Sequence, residues 1–339
     1  MTDAPIANPS KPAPADRRLR VLVLSNLRGD PWRDGAAAPD TAPDRALLAR
    51  MLAGHGIDLI ERDPLAPPLN PWGRSHPLFA GLDPVRGLGV LLAERSADLI
   101  VSIFESGAVV PLLLRRALRF RPPIVLWDVG FGGVWRTRQA VLDFVLPRVD
   151  GLFALTGHQK AAAERRYRLR AEPEVIGYAV DETFFRPDPS REAGYVLSVG
   201  EDGGRDYPTL IAALGDIPAP AVIKTRQALA LAPDQAGRTR VIAERLSYVA
   251  LRDLYQGAAV VAVPVHERDN PTGITAIYEA MATGRAIVAS DVAMMREIVT
   301  DGETGLLVPV GDPAAMRAAI AGLLADPARR AALGQAARG

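Results

Sequence analysis

Short, uninterrupted apolar runs alternate with longer amphipathic stretches along most of the chain. The first run, residues 19–25 (LRVLVLS), lacks the polar alternation of a half-exposed strand and is typical of a strand covered on both faces. Such runs, separated by helical stretches, predict parallel strands joined by crossover helices. In the first half, strands are predicted at residues 19–25, 57–61, 98–104, 123–128, 151–156 and 175–178. Helices are predicted at residues 44–54, 84–95, 106–120, 134–147 and 157–170.

The alternation stops at residues 181–193 (DETFFRPDPSREA), which read as an interdomain linker, and then starts again. Strands are predicted at residues 195–199, 221–224, 239–243, 258–265, 286–289 and 305–308. Helices are predicted at residues 207–214, 247–256, 272–283, 294–299, 312–326 and 327–338. We therefore expect an α/β fold of two Rossmann-like, doubly wound domains, residues 19–186 and 187–339. Residues 1–18 are rich in Pro and Ala, lack the apolar segment of a signal peptide, and are expected to form a disordered leader.

Composition excludes several classes of protein. The chain has 339 residues, 48% of them apolar and 23% charged, and a formal net charge of +1, so no nucleic-acid partner is expected. It has no Cys, which excludes disulfides, Cys-ligated zinc and a Cys nucleophile and fits a reducing compartment. No apolar stretch approaches the roughly 20 residues of a membrane span. We expect a cytoplasmic protein.

Common catalytic motifs are missing from the sequence. It contains no P-loop, no G-x-G-x-x-G after the first strand, no G-x-S-x-G elbow and no H-E-x-x-H. Its four His residues are scattered, and the Asp-x-Asp motif of some metal-dependent sugar transferases is absent. These absences favour a protein that binds anions and polyols without an obvious nucleophile or metal, and no separate cofactor is expected.

The stretch from Pro264 to Ser290 is the strongest candidate site. Its polar loop follows a buried strand, and ligands of parallel sheets bind at the carboxyl ends of strands. N–H groups at the start of the following helix lack intrahelical partners and can bind a phosphate, and Gly273 permits close approach. The Glu279 carboxylate, on the same helix face as Thr275, can accept two hydrogen bonds from the vicinal diol of a ribose. The candidate ligand-binding residues are Glu267, Asp269, Asn270, Thr272, Gly273, Ile274, Thr275 and Glu279. Alternatively, Thr272 is an ordinary helix cap and Glu279 a solvated helix residue.

A second candidate phosphate-binding element follows the first strand of the second half, at residues 199–205 (VGEDGGR). Glycines allow an unusual backbone path there, and Arg205 can bind a phosphate through two nitrogens. Lys224, at the end of the next strand, and Arg226 would face the same crevice; the alternative is that both are surface cations. The candidate residues of this element are Gly200, Gly203, Gly204, Arg205 and Lys224.

Several stretches together make residues 195–325 resemble the retaining family-4 (group 1) glycosyltransferases. The matching stretches are residues 197–200 followed by Arg205, residues 247–255 ahead of 260–264, residues 278–290 (YEAMATGRAIVAS), residues 297–299, residues 301–308 (DGETGLLV) and residues 311–312. The resemblance implies the GT-B fold, in which two Rossmann-like domains face each other across a cleft. It also implies a UDP- or GDP-sugar donor in the second domain, an acceptor on the first, and transfer of a hexose with retained anomeric configuration.

The resemblance assigns roles to individual residues. Glu279 matches the second Glu of the family's E-x7-E motif, which contacts the donor ribose, whereas Pro271 stands where the first, sugar-contacting Glu is expected. Glu267, Asp269 or Asn270 would substitute for that first Glu. Arg205 matches a diphosphate-binding cation, and Lys224 would compensate for the second, since Asp206-Tyr207 stands in its place. Arg205, Lys224 and Glu279 are therefore the expected catalytic residues, without a metal.

The acceptor is expected on the first domain, as a glycan, a lipid-linked sugar or a small molecule. The candidate residues at or just past its strand ends are Asn26, Arg28, Glu105, Ser106, Asp128 and His158. For His158 the alternative is a structural place beside a helix cap. The basic, apolar segment 112–121 (LLLRRALRFR) fits peripheral contact with the inner membrane face, or else a helix that covers the sheet. Because the first motif Glu is missing, a non-catalytic nucleotide- or sugar-binding protein on the same scaffold is the alternative function.

Overall fold

A computed structural model of the chain describes residues 17–24, 53–62, 84–127, 130 and 136–339. Most of the predicted leader and of the predicted helix at residues 44–54 lies outside these ranges, as do Asn26, Arg28 and Asp128.

The first domain contains a parallel six-stranded sheet in the order β2-β1-β3-β4-β5-β6. Its described elements are β1 (Leu19–Leu24), β2 (Ile57–Arg62), α1 (Pro84–Ala93), β3 (Leu99–Ile103), α2 (Val109–Leu114), β4 (Ile124–Trp127), α3 (Arg136–Val145), β5 (Gly151–Ala154), α4 (Gly157–Arg166) and β6 (Glu174–Val175).

The second domain contains a parallel six-stranded sheet in the order β12-β11-β10-β7-β8-β9. Its elements are β7 (Tyr195–Val199), α5 (Tyr207–Leu214), β8 (Ala221–Lys224), α6 (Pro233–Ala236), β9 (Thr239–Ile242), α7 (Tyr248–Gly257), β10 (Ala258–Val263), α8 (Ile274–Ala282), β11 (Ala286–Ser290), β12 (Leu306–Val308), α9 (Pro313–Ala325) and α10 (Pro327–Arg338). Strand order reverses between β7 and β10, and this reversal is the topological switch point at which such sheets bind ligands.

The uninterrupted apolar runs of the second sheet are explained by burial on both faces. Every residue of β10 and of β11 is buried. In β10, Val261 and Val263 enter the apolar cluster on one face, whereas Val260 and Ala262 enter the cluster on the other. This alternation confirms the prediction of a sheet covered by helices on both sides.

The prediction of one continuous helix over residues 106–120 is wrong in its boundaries. A 3₁₀ turn at Glu105–Gly107 precedes α2, which ends at Leu114. The chain then turns at Arg119, whose φ is +50°, and this turn brings the buried Phe120 into the core of the first domain. Burial of the Phe120 ring therefore takes precedence over continuation of the helix.

Two aromatic side chains anchor the linker to the second domain. Phe184 and Phe185 are buried in an apolar cluster beneath the second sheet, where Phe185 meets Tyr255 edge to face with ring centroids 6.2 Å apart. Both phenylalanines precede residue 187, the predicted start of this domain.

Within the described ranges, every helix is too short or too polar to span a bilayer.

Candidate functional site

The two candidate elements meet at the switch point of the second sheet. The loop after β7 and the loop after β10 are joined through their backbones, because Asp206 N–H donates to Pro264 O at 3.1 Å and His266 N–H donates to Gly204 O at 2.9 Å. An isolated antiparallel bridge pairs Arg205 with Val265. The glycine-rich loop and the start of the predicted phosphate-binding helix therefore lie side by side at the switch point of the second sheet.

The alternative interpretation, in which Thr272 caps helix α8, is wrong by one residue. Gly273, not Thr272, is the N-terminal cap of this helix, with φ +87° and ψ −8°. Thr272 is buried, and its N–H donates to Asn270 O at 2.7 Å. At the first helical residue, Ile274 N–H donates to Pro271 O at 3.4 Å. Thr275 is exposed.

The conformation of Gly273 leads to a prediction about stability. A Cβ atom at this position would lie 2.9 Å from Val263 Cγ1 and 3.0 Å from Met295 Cε, in a left-handed backbone conformation. We expect Gly273→Ala to lower the free energy of unfolding of the second domain by about 1–3 kcal/mol, measured by urea denaturation. Gly237→Ala is the matched control, because Gly237 has φ −72° and open space around it. Equal stability of the two variants would contradict this account of the turn.

Glu279 is buried, with a residue exposure of 5%, so it is not a solvated helix residue. It lies near Tyr255, which is completely buried on α7. Burial, and after it the nearby Glu279 carboxylate, raise the pKa of the Tyr255 phenol well above its ordinary value, while the charge of Arg205 acts in the opposite direction. All three side chains are buried, and the charges of Glu279 and Arg205 both act on the Tyr255 phenol. Tyr255 was not among the residues predicted from the sequence, although it lies in a stretch that carries the family resemblance.

Arg205 is buried in the loop after β7, with 4% of its side chain exposed. Its Nε lies 3.2 Å from Asp202 Oδ2, and its Nη1 atom is buried without a hydrogen-bond partner. A Cβ atom at Gly200 would overlap the guanidinium group, so Gly200 provides the space that this side chain occupies. A Cβ atom at Gly204 would lie 2.5 Å from Thr272 Oγ1, whereas Gly203 faces open space.

Lys224 lies at the carboxyl end of β8, with 7% of its side chain exposed. Its ammonium group binds Glu201 Oε1, and Arg226 Nη2 lies 2.5 Å from Glu201 Oε2. Lys224 is therefore not a surface cation, but Arg226, with 72% of its side chain exposed, is one.

Asp206 and Tyr207 have structural roles where the family pattern expects a lysine. Asp206 is buried and caps α5, since its Oδ1 accepts from Thr209 N–H at 3.2 Å and its Oδ2 from Thr209 Oγ1 at 2.7 Å. The Tyr207 hydroxyl donates to Gly200 O at 2.6 Å. These two side chains hold the glycine-rich loop on the helix.

The three residues considered as substitutes for the missing Glu occupy different surroundings. Glu267 Oε2 accepts from Ala293 N–H at 3.3 Å, within the second domain. Asp269 Oδ1 lies 3.6 Å from His158 Nε2, which belongs to the first domain. The Asn270 side chain faces Gly130 of the first domain, where a Cβ atom would lie 2.9 Å from Asn270 Oδ1.

The described acceptor-side candidates are largely occupied by structural contacts. Glu105 is buried and forms a two-pronged ion pair with Arg138, through Nε at 2.6 Å and Nη2 at 3.1 Å. Ser106 is also buried, in the 3₁₀ turn after β3. His158 lies in the first turn of α4, behind the cap residue Thr156. Their roles toward an acceptor stay predictions.

A carboxylate of the second domain binds the N-terminus of a helix of the first. Glu297 Oε2 accepts from Gly157 N–H at 2.6 Å, and Glu297 Oε1 accepts from His158 N–H at 2.5 Å. A negative charge is stabilised at this end of a helix by free N–H groups and by the helix dipole. Glu297 therefore links the domains. This role was not predicted from the sequence, although Glu297 lies in a stretch that carries the family resemblance.

Removal of this contact gives a second prediction. We expect Glu297→Ala to weaken docking of the two domains by about 1–3 kcal/mol, because two charge-assisted hydrogen bonds are lost. Small-angle X-ray scattering would show a larger radius of gyration than for the unmodified protein. Glu303→Ala, at an exposed position of the same domain, should leave the scattering unchanged. Identical curves for all three proteins would show that Glu297 does not hold the domains together.

Among the described residues, no three His, Cys, Asp or Glu side chains are grouped so that they could hold a metal ion.

Comparison with known structures identifies the class of fold. Sucrose-phosphate synthase from Thermosynechococcus elongatus matches with a TM-score of 0.75 and 23% identity, covering 95% of this chain and 93% of that one. Anabaena HepE in complex with UDP-glucose matches with a TM-score of 0.66 and 17% identity, covering 95% of this chain and 94% of that one. Both are similar in fold, and the two parallel sheets of this chain have the GT-B arrangement.

Sequence comparison finds a family model and relatives that match part of the chain. The family model described as "Glycosyl transferases group 1" matches residues 215–326. A D-inositol 3-phosphate glycosyltransferase of Xylanimonas cellulosilytica is 43% identical over 88 residues, covering 26% of this chain and 20% of that protein. An alpha-maltose-1-phosphate synthase of Mycobacterium tuberculosis is 40% identical over 104 residues, covering 29% of this chain and 26% of that protein. Residues 215–326 match the group 1 glycosyltransferases, which confirms the resemblance. The matches to these two relatives span about a quarter or less of each relative's length.

Proposed function

We propose that the chain is a glycosyltransferase that moves a hexose from a UDP- or GDP-sugar to a hydroxyl group of a glycan, lipid-linked or small-molecule acceptor. One observation carries the proposal: three buried charged residues stand on neighbouring units of the second sheet. Arg205 lies in the loop after β7, Lys224 ends β8, and Glu279 lies on α8, the helix that follows β10. A nucleotide-diphosphate sugar offers the matching chemistry, a ribose diol for the carboxylate and a diphosphate for the cations. The UDP-glucose complex of Anabaena HepE, which has the same fold, supports this donor class.

The proposed reaction proceeds with retention of anomeric configuration. The bond between the anomeric carbon and the diphosphate oxygen breaks, and its electron pair goes to the diphosphate. The acceptor oxygen forms the new bond on the same face of the sugar, and its proton goes to the leaving phosphate. The protein therefore has to stabilise negative charge on the leaving group, which is electrostatic preorganisation. Arg205, Lys224 and the N-terminus of α8 at Gly273 are the groups assigned to this role.

We propose that no divalent metal is needed, because the cations of Arg205 and Lys224 supply positive charge beside the diphosphate. The test compares turnover of the preferred donor in excess EDTA and in excess Mg²⁺. Similar rates support the proposal, whereas activity that depends on Mg²⁺ contradicts it.

Analysis of the product linkage by NMR tests retention, since a product of inverted anomeric configuration would exclude same-face transfer.

A non-catalytic nucleotide- or sugar-binding protein is the second candidate function. It is favoured by Pro271, which stands in place of the sugar-contacting carboxylate. It is also favoured by Asp269, because this possible substitute for the missing carboxylate lies beside His158 of the first domain. A thermal-shift panel of UDP, GDP and their sugars identifies the ligand class under both functions. Hydrolysis or transfer of the stabilising donor then separates them, because only the enzyme consumes it.

We further propose a cytoplasmic protein that makes peripheral contact with a membrane surface through its first domain. On α1, the side chains of Val85, Leu88 and Leu92 share one face and are exposed, and on the adjoining α2 Leu113 is exposed by 62%. Arginines follow directly on Leu114, so an apolar surface adjoins positive charge. Flotation with liposomes, with and without anionic lipid, tests the contact, and Leu92→Ser should reduce it. Failure to float with either liposome removes this part of the proposal.

A further inference from the structure

Both candidate diphosphate-binding cations are already paired with acidic residues of the loop after β7. Lys224 binds Glu201 Oε1, and Arg205 Nε lies 3.2 Å from Asp202 Oδ2. The pairs differ in one respect. Asp202 also accepts from Gly204 N–H at 3.0 Å and so shapes the loop, whereas Glu201 contacts two cations, Lys224 and Arg226.

Glu201 supplies the negative charge that the buried ammonium group of Lys224 requires. A buried ammonium group is unfavourable without a nearby anion. Burial by itself raises the pKa of Glu201, but the hydrogen bond from Lys224 and the charges of Lys224 and Arg226 outweigh burial and hold this pKa below its ordinary value. Glu201 is therefore ionised at neutral pH. About a third of its side chain, 35%, is exposed, so it can move into solvent, which the 7% exposed Lys224 cannot do as readily.

A diphosphate and the Glu201 carboxylate compete for the same ammonium group. The ammonium group has three N–H donors, but two anions held beside it repel each other, and this repulsion favours departure of one of them. We propose that Glu201 is an internal counter-ion that a donor diphosphate displaces from Lys224, and that it sets the affinity of the site for nucleoside diphosphates. This inference rests on the proposed donor site. Its functional consequence is faster release of the free nucleoside diphosphate after transfer, because Glu201 returns to Lys224.

The test is isothermal titration calorimetry of UDP and GDP with the full chain. We expect Glu201→Gln to bind the preferred nucleotide roughly three- to tenfold more tightly than the unmodified protein, since a competing anion of a partly exposed pair is removed. Affinity should also fall more steeply with salt in this variant. Glu303→Gln, an exposed acid far along the chain, is the matched control and should bind as the unmodified protein does.

A double variant tests whether the effect passes through Lys224. In a Lys224→Met background, Glu201→Gln should no longer tighten binding, because the contested ammonium group is absent. Equal or weaker binding by Glu201→Gln in the otherwise unmodified chain would overturn the inference and make Glu201 a residue that positions Lys224. Tighter binding that persists in the Lys224→Met background would also overturn it. If neither nucleotide binds any of the proteins, the proposed donor site fails, and the inference fails with it.

Discussion

Glu279→Ala is expected to weaken binding of the preferred nucleoside diphosphate by about 1–3 kcal/mol, the range for losing hydrogen bonds to a buried charge. The carboxylate is buried beside Tyr255 and, in the proposed complex, accepts hydrogen bonds from both ribose hydroxyls. Calorimetric titration of the full chain measures this loss directly. Comparison with the 2′-deoxy nucleotide separates the ribose contact from a general effect, since the variant should no longer distinguish the two nucleotides.

Glu303→Ala is the control for Glu279→Ala, because it removes an exposed carboxylate from the same domain. Circular dichroism melting should show that both variants fold. Nucleotide affinity that is unchanged in a folded Glu279→Ala protein would contradict the ribose assignment and, with it, the transfer of the E-x7-E motif onto this chain.

Arg205→Lys is expected to lower turnover of the nucleotide sugar by roughly 100- to 1,000-fold. This is the effect of removing one preorganised hydrogen-bonding group that stabilises charge in the transition state. The guanidinium group is buried, and its Nη1 atom has no hydrogen-bond partner in the structure, so it is available to an oxygen of the leaving diphosphate. Lysine keeps the charge but not the planar, two-pronged geometry. The measurement is kcat from the release of free UDP or GDP.

Arg240→Lys provides the matched control, since Arg240 lies exposed on β9 and should tolerate the exchange. If Arg205→Lys retained the turnover of Arg240→Lys, the guanidinium geometry would have no part in the reaction. A loss of binding without a loss of kcat would instead assign Arg205 to holding the donor in the ground state.

Most of the second domain could be predicted from the sequence because its strands are short apolar runs buried on both faces. Such runs, at β10 and β11 for example, are typical of strands in a sheet that is covered on both faces. The segment around Leu112–Arg121 could not be predicted as well, because its helix ends where Phe120 turns into the core, and that packing depends on distant residues. Local pattern determines which kind of element forms, and tertiary packing determines where it ends.

The candidate site was predictable in its residue types but not in its contacts. The sequence identified Arg205 and Glu279 because they belong to stretches that resemble the family, and Lys224 because it ends a predicted strand. It could not show that Lys224 already bears Glu201 as a counter-ion, because the two residues are 23 positions apart. Nor could it show that Glu297 binds the N-terminus of α4, 140 positions away. Both contacts depend on how strands are ordered and how domains are docked.

The most direct test of the central claim is turnover of nucleotide sugars by the purified full chain. UDP- and GDP-hexoses are incubated with the protein, with and without candidate acceptors, and free nucleoside diphosphate is measured over time. The account predicts that one donor class is consumed, that UDP or GDP accumulates in step with the glycosylated product, and that Glu279→Ala and Arg205→Lys both reduce the rate. Binding of UDP or GDP without consumption of any donor would contradict it and would leave a binding protein on the GT-B fold.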